Sequence, residues 1–350
     1  RFRVHPARHP TIGYLDEFLA VSRAQIFDFY KRMYVPNNML FVVVGDIDRH
    51  EAVRQIAELW SNVPAGELPQ LSLPVEPVGA EARELSGTAS VYQPKLRLAW
   101  PGTRLAAEHD YALDLLAVAL GQGESSRLVR QVRDQERAVD TISSYNWSMR
   151  WGEGSFVVDA NVAALPAEQL GELAPAAATA AAIDRAKALI LEQVTLLCRD
   201  GITDAELARA KRKVLAGVIR GSQDVNSLAN RLASDVITMG DPDYLRHYAR
   251  AIQEVDGEQV LVAARKFLTA SRLICVTLLP APKDAAPEAL ARPKDPQVDD
   301  LRVEPVVLDN AEVLERFAAV AGSQTAPAPA PTLGAIERHV LPNGLRLLVQ

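Results

Sequence analysis

Residues 22–45 read SRAQIFDFYKRMYVPNNMLFVVVG, and residues 256–280 read DGEQVLVAARKFLTASRLICVTLLP. The two stretches share a grammar. Ser22 with Gln25 and Asp256 with Gln259 stand at the spacing of a capping box, in which the first side chain and the fourth satisfy each other's backbone amides. In the first stretch Ile26, Phe29, Tyr30 and Met33 recur at helical intervals. A basic residue falls near each helix end, Lys31 and Lys266. Pro36 closes the first helix, and each stretch ends in a short apolar run, NNMLFVVVG or RLICVTLLP, that reads as a buried strand. The offset is about 234 residues. Residue by residue the match is slight, but the order of signals predicts two copies of one domain, the first incomplete.

Between them lies a full unit. PVEPVGAEARELSG reads as a Pro-rich linker passing onto an edge strand, and ASVYQPKLRLAWPG as strand. EHDYALDLLAVAL and SSRLVRQVRDQE read as helices. AVDTISSYNWSMRWGEGSFVVDANVAA reads as two strands joined by a turn at WGEG. A long helix runs to Cys198 and stops at Gly201, and Thr203 with Glu206 starts another through a capping box. Asp48 and Glu51 have the same spacing ahead of EAVRQIAELWSNV. Strands and helices in this order, with hairpins rather than strict β-α-β alternation, predict an α+β fold with a largely antiparallel sheet. From Pro280 to Leu333 the composition becomes Pro/Ala-rich and extended, interrupted by the helix-like NAEVLERFAAV. The closing IERHVLPNGLRLLVQ reads as strand, Pro-Asn-Gly turn and strand.

A chain of 350 residues has room for about two domains, each with its own core. The net charge of −6 argues against a partner whose phosphates must be neutralised, so no nucleic-acid role is expected. No apolar run approaches the roughly 20 residues of a membrane span. The two cysteines, Cys198 and Cys275, lie far apart and in no C-x-x-C motif, and read as inert buried thiols, with one remote disulfide as the alternative. There is no initiator Met and no apolar signal region at the start, and the last residues fall within a strand-like run. The expectation is a segment of a longer protein.

The chemistry-bearing patterns are few. None of His5, His9, His50, His109, His247 and His339 forms H-E-x-x-H or H-x-x-E-H, the pairings that put two zinc ligands and a general base on one helix. G-x-S-x-G is absent. The most distinctive stretch is GQGESSRLVRQVRDQERAVD, residues 121–140. It lacks the Lys-Ser/Thr of a phosphate loop and follows a helix rather than a strand. Ser125 or Ser126 reads as the cap of the next helix. Arg127, Arg130, Arg133 and Arg137 recur at intervals of 3, 3 and 4, which on a helix makes one basic stripe. Two readings of the stripe stand side by side: a solvated face balanced by Asp134 and Glu136, or a face that turns one arginine into a cleft to hold a carbonyl or carboxylate.

These phrases together resemble one family, the M16 metallopeptidases (insulinase, pitrilysin and mitochondrial processing peptidase). HPTIGYLDEF and YVPNNMLFVVVGDID resemble the end of its catalytic-type domain, and DYALDLLAVALGQGESSRLVRQVRDQE, with its G-x-x-S-R-L phrase, the opening of its second domain. GITDAELARAKRKVLAG is similar to a later helix of that domain, and VLPNGLRLLV to the first strands of a fresh unit. The resemblance implies residues 1–72 as the C-terminal part of a first M16 domain, 73–88 as linker, 89–281 as a second domain, 282–332 as a further linker and 333–350 as the start of another. It implies a zinc endopeptidase for the full-length protein, with Zn2+ held by an H-x-x-E-H helix that lies outside this chain. It implies peptide or unfolded protein as substrate, companion M16 domains of the same chain or of a partner subunit, and a periplasmic location by analogy with bacterial relatives. The segment alone is then expected to be inactive.

The site residues that the resemblance implies are Arg133 and Ser126, both substrate-binding. Many members carry an R-x6-Y pair in the second domain, and Arg133 matches its arginine. Asp140 stands at the tyrosine's place. Either Arg133 acts alone, or this domain pair no longer grips peptide. The competing expectation is therefore a non-catalytic M16-like module that guides substrate or serves structure.

Overall fold

In the computed structural model, Ser22 and Asp256 both begin helices through complete capping boxes. The Gln25 amide donates to Ser22 Oγ at 3.3 Å while the Gln25 side chain takes the Ser22 amide at 2.8 Å. The Gln259 amide donates to Asp256 Oδ1 at 2.8 Å, and its side chain takes the Asp256 amide at 2.9 Å. Thr203 and Glu206 make a third reciprocal pair. Asp48 makes only half of one: it accepts from the Glu51 amide, but the Glu51 carboxylate is drawn away by Arg54 and Gln55. The structure describes residues 2–70, 72–77, 82–171, 173–281 and 336–349. The 282–332 linker, with the helix-like NAEVLERFAAV, lies outside them.

The elements in chain order are α1 (Leu15–Ala20), α2 (Arg23–Met33), β1 (Leu40–Val43), α3 (Arg49–Trp60), β2 (Arg83–Ala89), β3 (Lys95–Pro101) and α4 (Asp110–Gly121). A π-helix (Val129–Gln135) is followed by β4 (Val139–Trp147), β5 (Ser155–Val162), α5 (Ala167–Leu170), α6 (Pro175–Asp200) and α7 (Asp204–Arg220). Then come α8 (Val225–Met239), α9 (Tyr244–Glu254), α10 (Gly257–Phe267), β6 (Ile274–Pro280), β7 (Glu337–Val340) and β8 (Arg346–Val349). The chain divides into two compact units. The first draws its described residues from 1–11, 72–220 and 243–289, the second from 12–71, 221–242 and 290–350.

The first unit is a five-stranded sheet in the order β2-β6-β3-β5-β4, with helices packed on it. Every pairing is antiparallel except that of the edge strand β2 with β6. β3 shows why the sheet has a core face: Leu96 and Leu98 are buried while Lys95 and Arg97 between them are exposed, the period-2 alternation of a strand. α4 is apolar nearly all round, with Leu113, Leu115, Leu116 and Leu120 fully buried. Trp100 and Phe156 fill the space beside it, their ring centroids 6.4 Å apart. α6 stops at Gly201, whose φ of +76° an L side chain rarely adopts. Both cysteines are free; burial raises each thiol pKa, which suits inert packing groups.

The second unit holds a three-stranded sheet, β1-β8-β7. The predicted C-terminal hairpin forms, its turn closed by Gly344 at φ +83°. Its strand β8 runs parallel to β1, with Leu40 opposite Arg346. β2 stands in the same relation to β6, with Arg83 opposite Ile274. Leu40 and Ile274 are separated by the same offset as Ser22 and Asp256, so the repeated grammar extends from caps to strand pairing. Asn343 ties the turn to the end of α3 by donating to the Trp60 and Val63 carbonyls. Leu345, Leu347 and Leu348 are fully buried. Among the described residues no helix is long and apolar enough to cross a membrane.

The strands expected to meet at WGEG are joined by a loop over residues 148–154 that packs back closely on the end of β4 at Gly154. A Cβ on Gly154 would lie 1.7 Å from the Trp147 carbonyl oxygen, so no other residue fits without moving the end of β4. A Gly154→Ala variant is expected to lose about 3 kcal/mol or more in denaturant unfolding, as expected of a backbone clash in a core hairpin. Gly45→Ala, where no atom lies within 4 Å of the added methyl, serves as the control and shifts stability by no more than about 0.5 kcal/mol.

Candidate substrate-contacting site

The stretch 121–140 is shaped first by the seam between α4 and β4. Gly121 ends α4 against Ser144: a Cβ there would sit 2.5 Å from Ser144 Oγ and 2.7 Å from the Ser144 amide. Ser144 Oγ donates to the Ala117 carbonyl at 2.8 Å, and Gln122 Nε2 donates to the Ser144 carbonyl at 3.1 Å. The glycine is there for close approach of helix and strand. Gly123, with φ +96°, then turns the chain.

Ser126 is 1% exposed, and its hydroxyl donates to the Gly123 carbonyl at 2.7 Å. The next helical segment begins at its carbonyl, which accepts from the Arg130 amide at 3.0 Å. Its side chain thus closes the turn before the helix rather than capping forward onto the helix amides.

That helical segment is not an α-helix. Across Val129–Gln135 the bonds widen to π-type, as from the Glu136 amide to the Gln131 carbonyl at 2.9 Å. Ala138 reaches back to the Val132 carbonyl, and Arg137 takes φ +50° on entering β4. Arg185 of α6 pins the end by donating to the Glu136 carbonyl and carboxylate. π-type turns are rare and occur frequently at functional sites.

The wider turn breaks the single basic stripe predicted from 3, 3, 4 spacing, which assumed α-helical periodicity. Arg127 points to the start of α7, where its Nε and Nη2 grip both oxygens of Glu206 at 2.7 Å and Nη2 also donates to the Gly201 carbonyl at 2.8 Å. Arg130 is exposed and shares with Arg127 and Gln131 a cleft of about 540 Å³, whose far wall is Gln193, Leu196 and Asp200. Arg133 turns back to the loop and meets Glu124 and Asp134, the latter at 2.7 Å. Asp140 instead accepts from Gln93 at 2.8 Å. Among the described residues, Arg133 and Asp140 share no hydrogen bond or ion pair.

Arg127 and Arg133 differ in kind. Arg127 and Glu206 are both largely shielded, with side chains 19% and 14% exposed, and the pair is bidentate. Burial by itself would raise the Glu206 carboxyl, but Arg127 and the Thr203 amide outweigh it and hold it at about 2. Arg133 is held by carboxylates that face solvent, Glu124 being 83% exposed. Such surface pairs contribute about 0–1 kcal/mol and are readily exchanged. Of Arg127 and Arg133, Arg133 is the one held by solvent-facing partners.

The sequence reading missed a second group of polar residues, Asp110, Asp114, Asn146 and Tyr248, which meet inside the first unit. Its only sequence signal was two carboxylates at i, i+4 on the otherwise apolar helix DYALDLLAVAL. Among the described residues no three His, Cys, Asp or Glu side chains converge as a metal site, so the residues present do not fit a zinc ion.

The family model described as the peptidase M16 inactive domain matches residues 20–214, more than half of the chain. The chain belongs to the M16 peptidase family. An uncharacterised zinc protease of Mycobacterium tuberculosis H37Rv is 29% identical over 276 residues, covering 77% of this chain and 58% of that protein. The probable zinc protease PqqL of Escherichia coli is 48% identical over a stretch of 56 residues, 16% of this chain and 6% of that protein. Among solved structures, a protease from Helicobacter pylori has a TM-score of 0.66 at 22% identity, covering 80% of this chain and 64% of that one. The M16 inactive domain from Pseudomonas fluorescens has a TM-score of 0.65 at 22% identity, covering 80% and 63%. These structures share the fold. The M16 chain described here spans about 58% of the length of the mycobacterial relative.

The Arg127–Glu206 pair predicts a pH dependence. Because the folded-state pKa of Glu206 lies below the ordinary carboxylate value of 4.5, the pair's contribution is complete above about pH 5 and is lost as pH falls toward 2. Glu206→Gln is expected to cost about 1.5–3 kcal/mol at pH 7, the range for hydrogen bonds to charged groups. The difference from wild type should shrink steadily in unfolding titrations between pH 5 and pH 2.

Proposed function

We propose that this chain is the substrate-enclosing part of a zinc endopeptidase acting on peptides or unfolded protein, with the metal and the hydrolytic chemistry supplied by a companion M16 domain. The observation that carries the reading is the state of Arg133. It sits on a π-type turn beside a glycine loop, and its guanidinium is held by exposed carboxylates rather than locked in place. A peptide carbonyl or C-terminal carboxylate can accept from the same Nε and Nη2 groups that Asp134 and Glu124 occupy and can displace them. Ser126 lies beneath the same loop with its hydroxyl engaged by Gly123, so in this reading it meets substrate only through the loop it shapes. Asp140, bonded to Gln93, leaves Arg133 to act without the tyrosine found in many relatives. The names of the relatives, zinc proteases, support the reaction class.

We propose a periplasmic location for the protein, by analogy with a bacterial relative. The support is the likeness to PqqL, whose solved structure is described as a periplasmic protease and shares the fold at a TM-score of 0.50.

In a longer protein that joins this chain to its zinc-bearing partner domain, Arg133→Ala is expected to lower kcat/KM for peptides roughly 10-fold or more, about the effect of losing one charge-assisted hydrogen bond, with zinc content unchanged. Arg127→Ala should instead act chiefly through stability. Unchanged kinetics for Arg133→Ala would favour the second reading, a module that holds companion domains together without gripping substrate. The departure at Asp140 and the family description of the domain as inactive favour that reading.

A further inference from the structure

Asp110 and Asp114 lie one turn apart on α4 and face the same nitrogen. Asn146 Nδ2, from β4, donates to Asp110 Oδ1 at 2.8 Å and to Asp114 Oδ1 at 2.9 Å. The Ala106 amide donates to Asp110 Oδ2 at 2.7 Å, and the Tyr248 hydroxyl of α9 donates to Asp114 Oδ2 at 2.9 Å. Asp110 is 1% exposed. Among the described residues no cation pairs with either carboxylate.

The neighbouring elements explain why. α4 itself adds Tyr111, whose ring packs on Tyr248 with centroids 5.6 Å apart. α9 adds Tyr244, 6.3 Å from Tyr248. Tyr145 of β4 donates to Asp159 of β5, whose carboxylate also accepts from Arg97. Lys211 of α7 donates to the Gln253 carbonyl, and Lys266 of α10 lies against His109. Every positive group among these is committed elsewhere. Two ionised carboxylates would therefore share a buried space with one amide between them, which burial and like-charge repulsion both oppose. Each carboxylate oxygen accepts a hydrogen bond and Asn146 Oδ1 is buried without a partner among the described residues, so a proton on the pair relieves the charge that the buried space must otherwise hold.

We propose that the Asp110–Asn146–Asp114–Tyr248 chain is a proton-operated latch, which holds α9 against α4 while one proton resides on the carboxylate pair and loosens α9 when that proton leaves. α9 is the element to move, because its hold on the cluster is a single phenol. Asp110 and Asp114 belong to the core helix, and Asn146 to a strand bonded along its length to β5. Release of Tyr248 lets water reach Asp114 and solvate its charge. α9 is also where the chain re-enters the first unit from residues 221–242.

The direction with pH follows from the environment of Asp114. Burial, then the charge of Asp110, raise its carboxyl to about 7 from an ordinary 3.8. In an opened state with ordinary titration, opening becomes easier as pH rises from about 4 to 7 and then levels off. Between pH 6 and pH 8.5 the protection of α9 amides should fall about 10-fold after correction for the intrinsic rate of exchange.

Hydrogen exchange of the whole chain at these two pH values provides the test. The wild type should show the loss of protection in residues 244–254. Asp114→Asn, which keeps the shape but cannot ionise, should show none of it. Asp110→Asn removes the neighbouring charge and should move the transition to lower pH. Equal pH responses in wild type and Asp114→Asn, or protection of α9 that is flat with pH in both, would overturn the proposal. If Asp114→Asn fails to fold, a carbon-13 titration of the wild-type aspartate carboxyls decides. One carboxyl titrating near pH 7 in step with α9 loosening upholds the latch, and all of them titrating below about pH 5 removes it.

Discussion

The close approach of α4 to β4 is the constraint on which the rest of the first unit depends. Helix and strand meet at Gly121 and Ser144 with no room for a methyl group, and Ser144, Gln122 and Asn146 stitch the two together. A buried helix with this little clearance fixes where its end lies, and so fixes where the chain must turn. Gly123 makes the turn, Ser126 closes it, and the following segment has to span from that point to the start of β4. It does so through the π-type turn and the left-handed Arg137, with Arg185 fastening the far end. The separation of Arg127, locked on Glu206, from Arg133, held loosely at the loop, follows from that geometry.

The same seam carries the buried carboxylates. Residues 144 and 146 of β4 point to α4 because alternate strand residues share a face. One of them supplies a hydroxyl to the backbone of α4, the other an amide to Asp110 and Asp114. Packing and polar chemistry are thus parts of one interface. At one end it presents an arginine to the loop, and at the other it holds α9 by the Tyr248 hydroxyl.

Much of the fold was legible in the sequence because its signals are local. A capping box spans four residues, a hairpin turn a few more, and the repeat between residues 22–45 and 256–280 is an ordering of such signals. Ser22, Asp256, Thr203 and the edge position of β2 could all be read in this way. Asp48 was the partial exception, since the spacing of a box does not reveal that Arg54 and Gln55 compete for the Glu51 carboxylate. The π-type turn was not legible. Val129–Gln135 has no composition that separates it from an α-helix, and the change of hydrogen-bond register is set by anchors on α4, β4 and α6. The carboxylate cluster was half legible: Asp110 and Asp114 showed their spacing, but Tyr248 lies 134 residues from Asp114. The pairing of β8 with β1 joins residues about 300 apart and depends on topology alone.

The claim that the α4–β4 seam organises the site is tested most directly by Gly121→Ala. Helix propensity alone favours alanine over glycine by about 1 kcal/mol, so a site without a packing constraint would become more stable. Steric exclusion at Ser144 predicts the opposite. Equilibrium unfolding should show a loss of at least about 2 kcal/mol, with hydrogen-exchange protection falling across residues 122–147 while β1 and β8 keep theirs. A variant as stable as wild type or more so, with protection of residues 122–147 intact, would contradict the account.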